Sequence, residues 1–215
     1  MIPSGKTNVK GEIRRRRPQH ADEELLRAAS AVFAREGYAA ASVSRIAEAA
    51  GATKPTLYAR FGSKEELFEA TMRYHAEAIL EQLFAAYDLA TTLKAPDAIR
   101  AGVEAWFAFA KERPDGMTLL FGEHIGAHSR VAEQTTEAII ARIARVVDHY
   151  TERRGHPARE AAPVIAAMIV GTSVHAIRRC LADPSLNADA VSALTTSFIV
   201  AATARIDPNL FALAG

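Results

Sequence analysis

"TKPTLYARFGSKEEL", residues 53–67, sets a proline near the start of a run with helical periodicity and a glycine in the middle of it. A proline N–H is not missed in the first turn of a helix, and the ring's fixed φ is already helical. Pro55 therefore marks a helix start, with Thr53 as its cap and the helix running from about Lys54 to Arg60. A second start follows at once. In "SKEE" the Ser63 hydroxyl can accept from the Glu66 amide while the Glu66 carboxylate reaches back, which is a capping box. Leu57 and Phe61 recur at helical spacing and read as core. Lys54, Tyr58, Arg60 and Lys64 surround them with positive charge and a ring hydroxyl.

Just upstream, Ser42 is a suitable N-cap for a short helix over 43–50, with Val43, Ile46, Ala47 and Ala50 inward and Gly51 as the stop. The two short helices, joined at Gly51-Ala52-Thr53, have helix-turn-helix spacing. In that geometry the second helix enters the major groove of DNA and the first crosses above the backbone. An earlier helix, 21–36, carries Leu25, Ala29, Val32 and Phe33 on one face and stops at Gly37. Residues 1–20 hold Arg14 to Arg17 and almost nothing apolar, so a disordered basic arm is expected there.

Downstream the period stays helical. Helices are expected from Ser63 to about Tyr87 and at 96–112, 115–127, 130–154, 158–182 and 188–206. The fold class is therefore all-α, with about nine helices and no sheet. Apolar residues make up 49 % of the 215 and charged residues 24 %, an ordinary globular balance. A lone cysteine, Cys180, excludes an intrachain disulfide and a cysteine-cage zinc site. The most apolar window, 161–177, is short for a membrane span and contains Pro163 and His175, so it reads as a buried helix. "ADEELL" after the arginines is not a signal-peptide core. A cytoplasmic protein with no membrane partner is expected. Net charge is +1 overall, yet residues 1–64 carry +6 and residues 65–215 carry −5. A basic head on an acidic body points to polyanion binding by the head.

At this point a resemblance is specific enough to name. "SVSRIAEAAGATKPTLYARFGSKEELF", residues 42–68, resembles the DNA-binding signature of the tetracycline-repressor (TetR) family, and "FAREGYAAAS" before it is similar to that family's first helix. The matched region is about residues 21–70, and the remainder matches in length and helical content only. The resemblance implies a helix-turn-helix domain over 21–66 and a ligand-binding and dimerisation domain over 67–215. It also implies a homodimer on a palindromic operator, released by a small-molecule effector, with no cofactor. By the same resemblance Ser42, Thr53, Tyr58 and Lys64 contact phosphates. Lys54 and Thr56, at the open start of the recognition helix, are the candidates for base edges, and Arg45 for a base or a phosphate. Pro55 departs from the glycine or small residue of many relatives, which narrows backbone approach to the DNA. Without the resemblance, Tyr58 and Lys64 would pass for ordinary surface residues.

In the C-terminal part, 158–182 and 188–206 are rich in small residues and are expected to pair with their copies as a four-helix bundle. A two-fold dimer would space the recognition helices by about 34–36 Å, one DNA turn. "AWFAFA" (105–110), "MTLLFGEHIGAH" (117–128) and the Met168/His175 pair supply aromatic, Met and His side chains. The family's ligand lies among these helices, so Trp106, Phe109, Phe121, His124 and His175 are the pocket candidates. The three aromatics fit plain core positions equally well. His124 and His128 are one turn apart but lack clear further ligands, so no metal site is expected. No nucleophile elbow, phosphate loop or zinc-helix motif occurs, and "GTSVH" (171–175) is not G-x-S-x-G, so an enzyme is not expected. A regulator without a ligand, whether constitutive, activating or partner-controlled, remains compatible with these residues.

Overall fold

The computed structural model describes residues 9–122 and 129–213, with side chains from Asp22 onward. Among the described residues there are nine α-helices, one short 3-10 turn and no strand. In chain order the helices are α1 (Val9–Ala40), α2 (Val43–Ala49), α3 (Lys54–Phe61), α4 (Lys64–Ala90) and α5 (Ala95–Glu112). They continue as α6 (Pro114–Phe121), α7 (Arg130–Glu152), α8 (Ala162–Ala182) and α9 (Ala188–Ala204).

Several boundaries differ from expectation for local reasons. Helix α1 reaches back to Val9, so residues 9–20 of the expected arm have helical backbone; Glu, Lys and Arg are good helix formers. Residues 1–8 lie outside the described residues. Gly37, at φ 76 and ψ 163, breaks α1 before its last residues, which is where a stop was expected. Helix α6 ends at Phe121, and Gly122 is extended. The rest of the expected 115–127 helix lies outside the described residues. Helix α8 starts at Ala162 rather than 158 because Pro163 occupies its first turn.

The chain divides into two compact units, Met1–Thr71 and Met72–Gly215, with the division inside α4. In the first unit, Leu25, Ala29, Val32 and Phe33 of α1 are buried with Val43, Ile46 and Ala47 of α2, Leu57 of α3 and Leu67 of α4. Phe33 and Phe68 meet edge to face with ring centroids 5.0 Å apart, and Tyr38 lies 4.9 Å from Phe68.

The second unit is a helical bundle in which α8 packs on α7 and α9, and α5 packs on α9 and α8. Helix α4 contributes the stripe Met72, Ala76, Ile79, Leu83, Tyr87, Ala90, at helical spacing. A close approach fixes α4 on α5: a Cβ on Gly102 would stand 2.8 Å from the Tyr87 ring. Helix α8 is long and apolar enough to cross a membrane by length and composition. Its face bearing Ile165, Ala166, Val170, Ser173, Val174 and Ile177 lies in the core, while Val164, Met168 and His175 are exposed. It is thus buried on one face and exposed on the other.

His75 of α4 is 3 % exposed, and its imidazole fills the space a Cβ on Gly116 of α6 would take. Burial, aided by the Arg113 charge, pulls its pKa from 6.5 to about 4. Above pH 6.5 the ring is neutral whether the chain is folded or not. As pH falls from 6.5 towards 4 the unfolded chain takes a proton that the folded chain refuses, so stability drops. The expected loss is about 3 kcal/mol across that window. Urea midpoints at pH 7 and pH 4.5 measure it, and His75→Gln should remove that part of the pH dependence.

Candidate functional site

The first unit builds a surface out of helix ends. Helix α2 starts at Ser42, whose Oγ accepts from the Arg45 amide at 3.3 Å. It ends in a Schellman closure: the Ala52 amide donates to the Ala47 carbonyl at 2.9 Å and the Gly51 amide to Glu48 at 3.1 Å. Gly51 sits at φ 58, a backbone that disfavours side chains. Two residues later Thr53 caps α3 by accepting from the Thr56 amide at 3.3 Å, with Pro55 in the first turn. The next cap is Ser63, which accepts from the Glu66 amide at 3.0 Å. Gly62 between them has φ 80, and a Cβ there would collide with the Glu66 carboxylate.

These caps leave α3 with one buried side chain, Leu57 at 2 % exposure. Lys54, Pro55, Thr56 and Tyr58 all face solvent, and no group among the described residues partners the Tyr58 hydroxyl. Phe61, read as core, is half-buried, because it lies on the last turn beside the Gly62 reversal. The Thr56 hydroxyl is 2.9 Å from that of Thr53, so it takes part in the cap.

Two of the expected DNA contacts also have roles inside the unit. Lys64 donates to the Ala39 carbonyl at 3.3 Å, with its ammonium 4.6 Å from the Tyr38 ring centroid. An ammonium carries three N–H groups, so others remain to donate elsewhere. Arg45 pairs with Glu36 at 2.8 Å, and Arg35 donates to the same carboxylate at 2.9 Å. The Arg35 and Arg45 hydrogen bonds hold the Glu36 carboxyl below its ordinary range. Arg60 pairs with Asp22 at 2.6 Å. The four positions Lys54, Pro55, Thr56 and Tyr58 thus form an outward face, with Ser42, Arg45, Thr53 and Lys64 as the residues that also hold the helices in place.

The second unit holds a mostly apolar cavity of about 180 Å³ between α4, α5, α7, α8, α9 and the segment after α9. Trp106, Val103 and Ser173, all buried, are among the residues lining it. Here the Trp106 Nε1–H donates to the Tyr87 hydroxyl at 3.0 Å. Burial pushes Tyr87 well above the ordinary tyrosine range, so it stays an intact O–H. Exposed residues, among them Pro96, Arg154, His156 and Pro208, also line it. The Tyr150 hydroxyl lies 2.6 Å from the Ala90 carbonyl and 2.8 Å from the Leu93 carbonyl, at the end of α4.

Of the five residues expected in a pocket, Trp106 alone is among those lining this cavity. Phe109 is fully buried and does not line it. Phe121 is half-buried with its ring 5.2 Å from that of Trp106, and with His175 it lines a different, open groove. His175 is exposed and its Nδ1 lies 2.8 Å from the Gly171 carbonyl. His124 lies outside the described residues. Sequence reasoning missed Tyr87, Tyr150, Arg154 and His156. The run "TERRGHP" reads as a helix ending, and nothing in its spacing shows that the ending lines a cavity.

Comparison with known proteins agrees with this architecture. Residues 25–71 match the family model for bacterial regulatory proteins of the tetR family. The transcriptional activator FasR of Mycolicibacterium smegmatis is 36 % identical over 155 residues, covering 72 % of this chain and 69 % of that protein. The transcriptional repressor SCO4008 of Streptomyces coelicolor is 32 % identical over 69 % of this chain and 65 % of its own length. Among solved structures, a regulator from Pseudomonas aeruginosa superposes with a TM-score of 0.73 at 20 % identity, over 90 % of this chain and 95 % of its own. The fatty acid degradation regulator FadR of Bacillus halodurans gives 0.69 at 16 % identity, over 86 % and 99 %. The protein is a helix-turn-helix, DNA-binding transcriptional regulator and not an enzyme. Within that class it belongs to the tetR family.

The Thr53 cap can be tested apart from DNA. Thr53→Ala removes the acceptor for the Thr56 amide and should lower stability by about 1 kcal/mol, read as a lower urea midpoint.

Proposed function

We propose that the protein is a homodimer that binds a palindromic operator through α3 and leaves it when a small, largely apolar ligand enters the cavity of the second unit. The observation that carries the DNA half is α3 itself: one anchor, Leu57, and an outward face of Lys54, Pro55, Thr56 and Tyr58. Lys54 offers an ammonium to base or phosphate acceptors, and Tyr58 a rigid hydroxyl to a phosphate. Ser42, Arg45, Thr53 and Lys64 are proposed as flanking backbone contacts. Such a regulator of a bacterial family works in the cytoplasm, where the DNA is.

Dimerisation is supported by the second unit's surface. On α8, Val164, Met168 and His175 are exposed, and on α9 Leu194 and Phe198 are exposed at 69 % and 61 %. These positions recur at helical spacing on one face of each helix, and apolar side chains left in that pattern call for a partner. A second copy satisfies it by two-fold symmetry, which the two halves of a palindrome repeat. The ligand half rests on the cavity. One solved relative, FadR of Bacillus subtilis, was determined in complex with stearoyl-CoA, at 17 % identity and a TM-score of 0.66 over 83 % of this chain and 97 % of its own. Release requires that the ligand bind one state of the dimer better than the state that fits DNA. A second reading, activation rather than repression, is favoured by FasR, which is an activator.

Two measurements test these readings. Fluorescence anisotropy on DNA upstream of the protein's own gene should show sequence-specific binding that weakens steeply between 50 and 200 mM salt. Lys54→Ala and Tyr58→Ala should each weaken it by about tenfold; equal affinity for random DNA would remove the operator reading. In light scattering, Phe198→Asp should convert the dimer to monomers, and operator affinity should fall with it.

A further inference from the structure

The first unit sorts its cations by type. Residues 22–71 hold four arginines and two lysines. Each arginine meets a carboxylate. Arg27 pairs with Glu23 at 3.7 Å and Arg60 with Asp22 at 2.6 Å, while Arg35 and Arg45 share Glu36 at 2.9 and 2.8 Å. The lysines do not. Lys64 is held by neutral groups, the Ala39 carbonyl and the Tyr38 ring. Lys54, on α3, has no carboxylate partner among the described residues.

Glu36 stands apart from the other two acids. Its side chain is 10 % exposed, against 41 % for Glu23 and 40 % for Asp22. Its Oε2 is shielded from solvent. It lies just before the Gly37 break in α1 and reaches two guanidiniums, Arg35 beside it and Arg45 in the first turn of α2. Both arginines are open to solvent, and each meets Glu36 through one terminal nitrogen. A guanidinium carries five N–H groups, so others are left to donate outward.

An unrestrained arginine beside DNA takes any phosphate within reach, which adds affinity for every sequence alike. Glu36 limits this in two ways. It cancels one of the two positive charges. It also fixes Arg45, because a phosphate that drew the guanidinium away would leave a shielded carboxylate short of a partner. Arg45 then serves a phosphate at one place only, where the first helix of a helix-turn-helix crosses the backbone. We propose that Glu36 is a specificity-determining residue for DNA: it holds Arg45 in register and suppresses sequence-independent binding, so that discrimination rests on Lys54 and the rest of the α3 face. It does this as a positioning residue, acting through Arg45. The inference rests on the reading of α2 and α3 as the DNA-binding surface.

The full-length protein and its Glu36→Gln variant are compared by fluorescence anisotropy on DNA upstream of the gene and on a scrambled duplex of equal length, between about 50 and 200 mM salt. Loss of the carboxylate frees charge for about one more phosphate. Affinity for the scrambled duplex should rise by about fivefold or more, and its log–log salt slope should steepen by about one. Preference for the upstream DNA should fall by about threefold or more. Glu36→Ala, which has no amide to bond either arginine, should behave alike, and Glu36→Asp, which keeps the charge, should retain the parent's slope. In an Arg45→Gln background, Glu36→Gln should give less than about half of that rise. Melting temperatures show that the variants compared are folded. A scrambled-duplex affinity or slope that stays at the parent's value, a preference that survives, or a rise undiminished without Arg45 overturns the proposal and leaves the operator reading standing. A parent that binds both duplexes equally overturns both.

Discussion

A single buried side chain holds the recognition helix. Helix α3 is eight residues long, far too short to be stable in water by itself. Leu57 sinks into the core formed by α1 and α2, a burial worth about 2 kcal/mol, and the rest of the helix is left outside. What one anchor cannot supply, the ends do. Thr53 satisfies an amide at the start, the Gly62 amide donates to the Tyr58 carbonyl at the finish, and Ser63 restarts the chain as α4. A helix built this way offers nearly all of its surface to a partner without exposing a hydrophobic core.

The second unit solves a different problem. Its helices pack tightly where Gly102 and Gly116 let Tyr87 and His75 lie against neighbouring backbone. Between α4, α5, α7, α8 and α9 the packing is left incomplete, and the gap is mostly apolar. A bundle with an unfilled interior gives up dispersion contacts that a full core would have. The same bundle leaves Val164, Met168, Leu194 and Phe198 uncovered. The two departures from a plain globular unit, a hollow and a bare apolar face, are both ordinary signs of binding.

Much of the first unit was legible in the residues because its determinants are local. Pro55, Thr53, Ser63 and Gly51 each act within a few positions of themselves and have the expected role, while of the expected capping box only the Ser63 half forms, since the Ser63 amide donates to the Phe61 carbonyl and not to Glu66. The second unit's site was less legible because it is assembled from α4, α5, α7, α8, α9 and the segment after α9. Helical period distinguishes inside from outside but does not say which inward residues meet. Thus Trp106 and Phe109, three apart on α5, read alike, yet one lines the cavity and the other fills the core. His175, a pocket candidate through the resemblance, is exposed on α8 and lines the groove with Phe121 rather than this cavity.

The sequence by itself determined the helical class, the order of the helices, the helix-turn-helix and which side of it points outward. Backbone geometry and periodicity are written within a few residues of where they act. Only the tertiary structure decided that Lys64 reaches back to Ala39 and Arg45 to Glu36, since those partners are 25 and 9 positions away. It alone brought Tyr87, Trp106, Tyr150 and Arg154 around one hollow. Contacts between distant segments depend on how helices cross, and crossing is set by the packing of all of them together.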